Sequence, residues 1–156
     1  SLSSLWTHHT REMSCEIESM NLKDAAGTFS QLSGVLASFC VAFAILLLTP
    51  AVFPQGGGMP QDLVISLLLL SVTLYSIAAG ILANATKYAY PHIRLPYKVG
   101  IICFLLSNVL VLSAIVIIIR AFGLPMANVI AIGMLVVAAA ILLLNVLSFN
   151  TFAKLD

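Results

Sequence analysis

Apolar residues run almost unbroken through four stretches of this chain, about 29–49, 63–83, 99–119 and 127–149, and polar residues gather between them. A helix of about 20 apolar residues is long enough to cross the hydrocarbon core of a bilayer. The pattern therefore predicts four transmembrane helices. Pro50 and Pro54 close the first stretch. The turn Pro54-Gln-Gly-Gly-Gly-Met-Pro60 reads as a flexible loop, since its glycines are followed by no Lys-Ser/Thr to hold a phosphate. The connection Ala121-Phe-Gly-Leu-Pro-Met126 is so short that spans three and four must be antiparallel neighbours.

Ahead of the first span the pattern changes. Leu2, Leu5, Trp6, His9, Met13, Ile17 and Met20 recur at steps of about three and four, with Ser, Thr, Arg and Glu on the other side. This is an amphipathic helix of low net hydrophobicity, expected to lie along the membrane surface or to dock on the ends of the bundle. Asn21 to Gly27 is expected to break it before the first span. The domain reading is an interfacial segment, 1–27, followed by a four-span bundle, 28–156. The fold class is all-α, an integral membrane four-helix bundle with an N-terminal amphipathic surface helix. Glu12, Glu16, Glu18 and Asp24 interrupt any signal-peptide core, so the first span is expected to direct insertion.

Within the spans, small residues mark candidate packing faces. Ser30, Gly34, Ser38 and Ala42 recur every four residues in span one, leaving a smooth face that another helix can approach closely. Gly100, Cys103, Ser107 and Ala114 make a similar face in span three, and Ala131, Ala138 and Asn145 fall seven apart in span four. Asn108 and Asn145 are buried amides that must find partners, expected on neighbouring helices. In span two Ser66, Thr73, Ser76, Gly80 and Asn84 share a polar stripe that suits either contact between helices or a wet path. With more than one smooth seam available, homo-oligomerisation is the expected association, alongside a membrane or cytoplasmic protein partner.

Lys87-Tyr-Ala-Tyr-Pro-His-Ile-Arg-Leu-Pro-Tyr-Lys98, between spans two and three, concentrates basic and aromatic residues. Lys87, Tyr88, Tyr90, Arg94, Tyr97 and Lys98 are expected at lipid headgroups, because Tyr keeps its hydroxyl wet while its ring is buried and Lys and Arg reach toward lipid phosphate. Anionic lipids are the expected partners. Pro91 and Pro96 are expected to keep the segment from forming a continuous helix. Cations also set the orientation. Arg11, Lys23, Lys87, Arg94, Lys98 and Lys154 fall on one side of a four-span topology and only Arg120 on the other, which predicts cytoplasmic termini.

Composition narrows the functions. Of 156 residues, 61% are hydrophobic and 8% charged, with a mean hydropathy of +1.10, far from a soluble domain. The net charge of +1 and the scatter of the cations give no basic groove for nucleic acid. No Asp, Glu, Lys, Arg or His falls within the four stretches, whereas proton relays and ion-coupled transporters need ionisable groups there. His8, His9 and His92 lie outside them, so axial ligation of haem is not expected. No Ser or Cys within the four stretches has a base beside it, and neither catalysis nor a cofactor is expected. His8, Glu12, Cys15 and Glu16 share one side of the N-terminal helix, as surface helices often arrange such residues, and no metal is expected there.

Leu32-Ser33-Gly34 at the start of span one, a short Gly/Pro loop after it, and four spans with both ends inside resemble the layout of Orai calcium channels. That resemblance implies that span one lines a pore and carries an acidic residue in its outer part, where this chain has Ala, Ile and Leu. The functional expectation is a weakly selective channel or permeabilising pore between copies, with Leu46 and Leu47 in its aliphatic belt. The alternatives are a non-conducting accessory or scaffold subunit, and a small membrane carrier or enzyme, which would show itself by a lipid-sized side pocket.

Overall fold

The computed structural model describes residues 2–49, 60–88 and 92–155, with side chains as far as Phe149. Four helices account for nearly all of it: α1 (Leu2–Leu48), α2 (Gln61–Ala85), α3 (Arg94–Ala121) and α4 (Pro125–Leu155). All four contain a stretch long and apolar enough to cross a membrane, and the chain is an all-α, multi-pass membrane protein. Helices are the available solution for consecutive apolar stretches in lipid, where each backbone N–H and C=O must be satisfied within the segment.

The helix ends follow local chemistry. Thr49 precedes Pro50, which disfavours further helix, and the freed carbonyl of Leu47 accepts Gln61 Nε2 at 2.6 Å. That bond ties the end of α1 to the start of α2. Pro96 lies in the first turn of α3, where a missing N–H costs nothing, so helix begins at Arg94 inside the segment expected to be loop. Gly123 ends α3 with φ 70°, while Gly123 N donates to Arg120 O and Leu124 N to Ile119 O. This paired closure requires a left-handed residue, which glycine supplies without a Cβ penalty, and Pro125 then starts α4.

The expected break at Asn21 to Gly27 is absent. α1 is one helix of 47 residues, about 70 Å at 1.5 Å per residue. Leu, Lys and Ala in that segment are good helix formers, and Gly27 alone costs only about 1 kcal/mol. Tertiary contacts offset that cost. Ala26 is fully buried with Leu82, Ala85 and Ile93, and Leu22, Phe29 and Tyr97 pack around them. The N-terminal segment thus continues the first span, with no proline between residues 2 and 49 to turn it along the surface. Its outer part is exposed, including Leu5 at 69% and Trp6 at 70%.

α1, α2 and α3 share the main core, while α4 packs on α3. Cys40, Ala44 and Leu47 of α1 meet Val64, Leu68, Tyr75 and Ala78 of α2 and Phe104, Ala114 and Ile118 of α3. Phe104 bridges all three helices, edge-on to Phe29 at 5.4 Å and to Tyr75 at 5.8 Å between ring centroids. α2 and α3 approach most closely at Gly100, where a Cβ would stand 2.6 Å from Leu82 Cγ. Of the small face of span three, Gly100, Ser107 and Ala114 are buried and Cys103 is half-buried.

Candidate functional site: a membrane-facing cleft

Because α4 rests on α3 and not on α1 or α2, the surface of α3 between α1 and α4 is left open as a cleft. Its volume is about 600 Å³, and its walls are nearly all hydrocarbon: Leu36 from α1, Leu105 and Val111 from α3, Met134, Val137 and Ile141 from α4. Gly133 lines it too, with open space where a Cβ would be. A smaller recess of about 210 Å³ adjoins it, sharing Leu36, Tyr75 and Val111 and extending to Phe39, Cys40 and Phe43.

The polar atoms of the cleft stand at its floor. Tyr75 is buried on α2, and its hydroxyl donates to Asn108 Oδ1 on α3. Among the described residues the amide nitrogen of Asn108 has no acceptor, so its hydrogens are open to whatever occupies the cleft. Both residues lie near the middle of their helices, deep in the membrane-spanning part. A hydrogen-bonding pair is therefore set in an apolar wall open toward lipid. Such a site can hold hydrocarbon and orient one oxygen atom.

The residues singled out in the sequence are placed variously. Ser30 reaches across to α2 and donates to Ala79 O at 2.9 Å. Gly34, Ser38 and Ala42 face outward from the protomer, with Ser38 bonded back to Gly34 O. The stripe of span two, Ser66, Thr73, Ser76, Gly80 and Asn84, also faces outward, opposite the buried Val64, Leu68, Ser71, Tyr75, Ala78 and Leu82. Within this stripe Ser66, Thr73 and Ser76 donate to carbonyls four residues back in their own helix. Asn145 bonds Ile141 O of its own helix at 2.9 Å, not a neighbouring one.

In the basic segment, Lys87 and Tyr88 are exposed, while Tyr90 lies outside the described residues. Arg94 meets Glu18 of α1 at 3.0 Å, Tyr97 packs half-buried beside Ala26 and Ile93, and Lys98 Nζ contacts Ser148 Oγ of α4 at 3.4 Å. His8 Nδ1 stands 3.1 Å from Glu12 Oε1 on the exposed part of α1. Leu47, expected in a pore belt, is instead fully buried between α1 and α2, whereas Leu46 is exposed. Of Leu32-Ser33-Gly34, the middle residue is buried with its hydroxyl on Phe29 O at 2.7 Å, and its neighbours are exposed.

Sequence reading missed Tyr75, and with it the cleft. A signal was present: tyrosine favours the membrane surface, and Tyr75 sits mid-span, as far from that surface as Asn108. Two such residues at matching depth on antiparallel neighbours are natural partners. No family model, no curated protein and no solved structure matches the chain.

Proposed function

We propose that this protein binds an apolar, chain-shaped molecule that enters sideways from the bilayer, and that it acts as a lipid-binding carrier or accessory protein without catalysing a reaction. The observation that carries this reading is the cleft of about 600 Å³ with the Tyr75–Asn108 pair at its floor. Ligand sites are typically about 300–1,000 Å³, mostly apolar, with a few polar groups that fix orientation. Here the walls take hydrocarbon, and the Asn108 amide nitrogen can donate to an ester, hydroxyl or carbonyl oxygen. The test is photolabelling in lipid nanodiscs with hexadecanol carrying a mid-chain diazirine. Adducts are expected on cleft residues such as Leu112 and Met134, and Gly133→Phe, which fills the open space, is expected to remove them. Adducts spread evenly over the lipid-exposed face of α4, unchanged by that substitution, would refute the reading.

A second reading rests on the outward stripe of α2. Copies joined through it and through Gly34, Ser38 and Ala42 would bury small faces against each other or enclose a path lined by Ser66, Thr73 and Ser76. Such a path conducts with weak selectivity, since it carries no charge to choose an ion. Either reading is compatible with cytoplasmic termini and with anionic lipid around Lys87.

A further inference from the structure

We infer that the occupant of the cleft is an anionic amphiphile, with one alkyl or acyl chain against Asn108 and its charged head at Lys98. This deepens the chain-binding reading above and rests on it. The link is the seam between α3 and α4. On α3, Ile101, Leu105, Asn108 and Leu112 follow Lys98 at steps of three, four, three and four. On α4, Asn145, Ile141, Ala138 and Met134 lead back from Ser148 by the same steps. Residues so spaced occupy one face of a helix. Leu105, Asn108 and Leu112 of the first series line the cleft, as do Ile141, Ala138 and Met134 of the second, and each series ends in the Lys98–Ser148 contact.

Charge makes the end of this seam a head site. Lys98 is half-buried, and its contact among the described residues is a neutral hydroxyl at 3.4 Å, too long to be a strong bond. No carboxylate among the described residues pairs with it: Glu18 is on Arg94 and Glu12 on His8. The Lys98 side chain therefore has donors to offer an anion, and Ser148 Oγ stands beside it as a further donor. Arg94, one turn away along α3, adds positive potential although it is engaged by Glu18.

Depth matches as well. Lys98 and Asn108 are ten residues apart on one helix, about 15 Å at 1.5 Å per residue. That is half of a hydrocarbon core of about 30 Å, the depth of one leaflet. A lipid chain whose phosphate or carboxylate sits at Lys98 thus brings its lower half to the cleft without leaving its own leaflet. A free anion would meet Lys98 but would have no use for the cleft.

The experiment compares mid-chain diazirine forms of hexadecyl phosphate and hexadecanol on the full-length protein in nanodiscs of zwitterionic lipid. The phosphate is expected to label the cleft about fivefold more strongly than the alcohol, following the gain that one lysine near a charged lipid surface provides. Lys98→Gln is expected to abolish that difference by lowering phosphate labelling to the level of the alcohol, and excess inorganic phosphate is expected not to compete. Equal labelling by the two probes, or a preference that survives Lys98→Gln, would overturn the head assignment and leave chain binding standing. Competition by inorganic phosphate would overturn it in favour of a free-anion site. Labelling of neither kind that Gly133→Phe can block would refute chain binding itself, and this inference with it.

Discussion

Tyr75 on α2 donates its hydroxyl to Asn108 on α3 in the middle of the membrane-spanning part of the chain, and the far side of the same amide faces an open cleft. One polar pair thereby joins two helices and marks a place for a third party. Hydrogen bonds between transmembrane helices average about 0.6 kcal/mol, because separated helices in lipid find other partners. Tyr75→Phe is accordingly expected to lower stability by less than about 1 kcal/mol, measured by unfolding in mixed micelles. Asn108→Leu should cost little more in stability yet weaken retention of oxygen-bearing chains. A loss of several kcal/mol for Tyr75→Phe would mean that the pair chiefly holds the fold.

Two glycines make opposite predictions. At Gly100 an added Cβ would meet Leu82 at 2.6 and 2.7 Å, so Gly100→Ala must push α2 and α3 apart or displace that side chain, at a cost of about 1–3 kcal/mol. At Gly34 nothing lies within 4 Å, and Gly34→Ala should leave the protomer as stable as before or slightly more so. Unfolding of the two variants under identical conditions checks the pair. If Gly34→Leu disrupts association of copies while leaving protomer stability intact, the outward face of α1 is where copies meet.

The continuity of α1 can be measured directly. Spin labels at Leu5 and Gly34, 29 residues apart, should report a separation of about 43 Å if the helix is unbroken. A separation well below that, or a broad distribution, would mean that the N-terminal part turns along the membrane surface.

Orientation has a separate test. In a variant lacking the native cysteines, a cysteine at Phe122 is expected to react with an impermeant reagent on intact cells, and one at His92 is expected to be protected. Both positions are exposed on the protein, so protection reports the membrane. The reverse pattern would invert the topology.

The spans were legible because lipid imposes one local solution on long apolar stretches, and the helices of 25 and 28 residues contain the stretches read for spans two and three. Two kinds of feature were not legible. The junction at Asn21 to Gly27 looks like a break by composition, yet Ala26 is small enough to let α1 pack on Leu82, Ala85 and Ile93, and such distant contacts leave no local trace. Small-residue faces were equally ambiguous. Gly100 lies inside and Gly34 outside, although each sits in a similar run of small residues, because smoothness permits close approach without saying which helix approaches. The cleft depends on α4 packing against α3 and on Tyr75 facing Asn108, relations between helices that no single span displays.

The most direct measurement of the central claim is native mass spectrometry of the protein released gently from its own membrane, for the parent, Gly133→Phe and Gly34→Phe. Both glycines have open space around them, but only Gly133 lines the cleft. The parent and Gly34→Phe are expected to carry the same bound lipid-sized mass, and Gly133→Phe is expected to lose it while remaining folded. Equal bound mass on all three would contradict chain binding in the cleft.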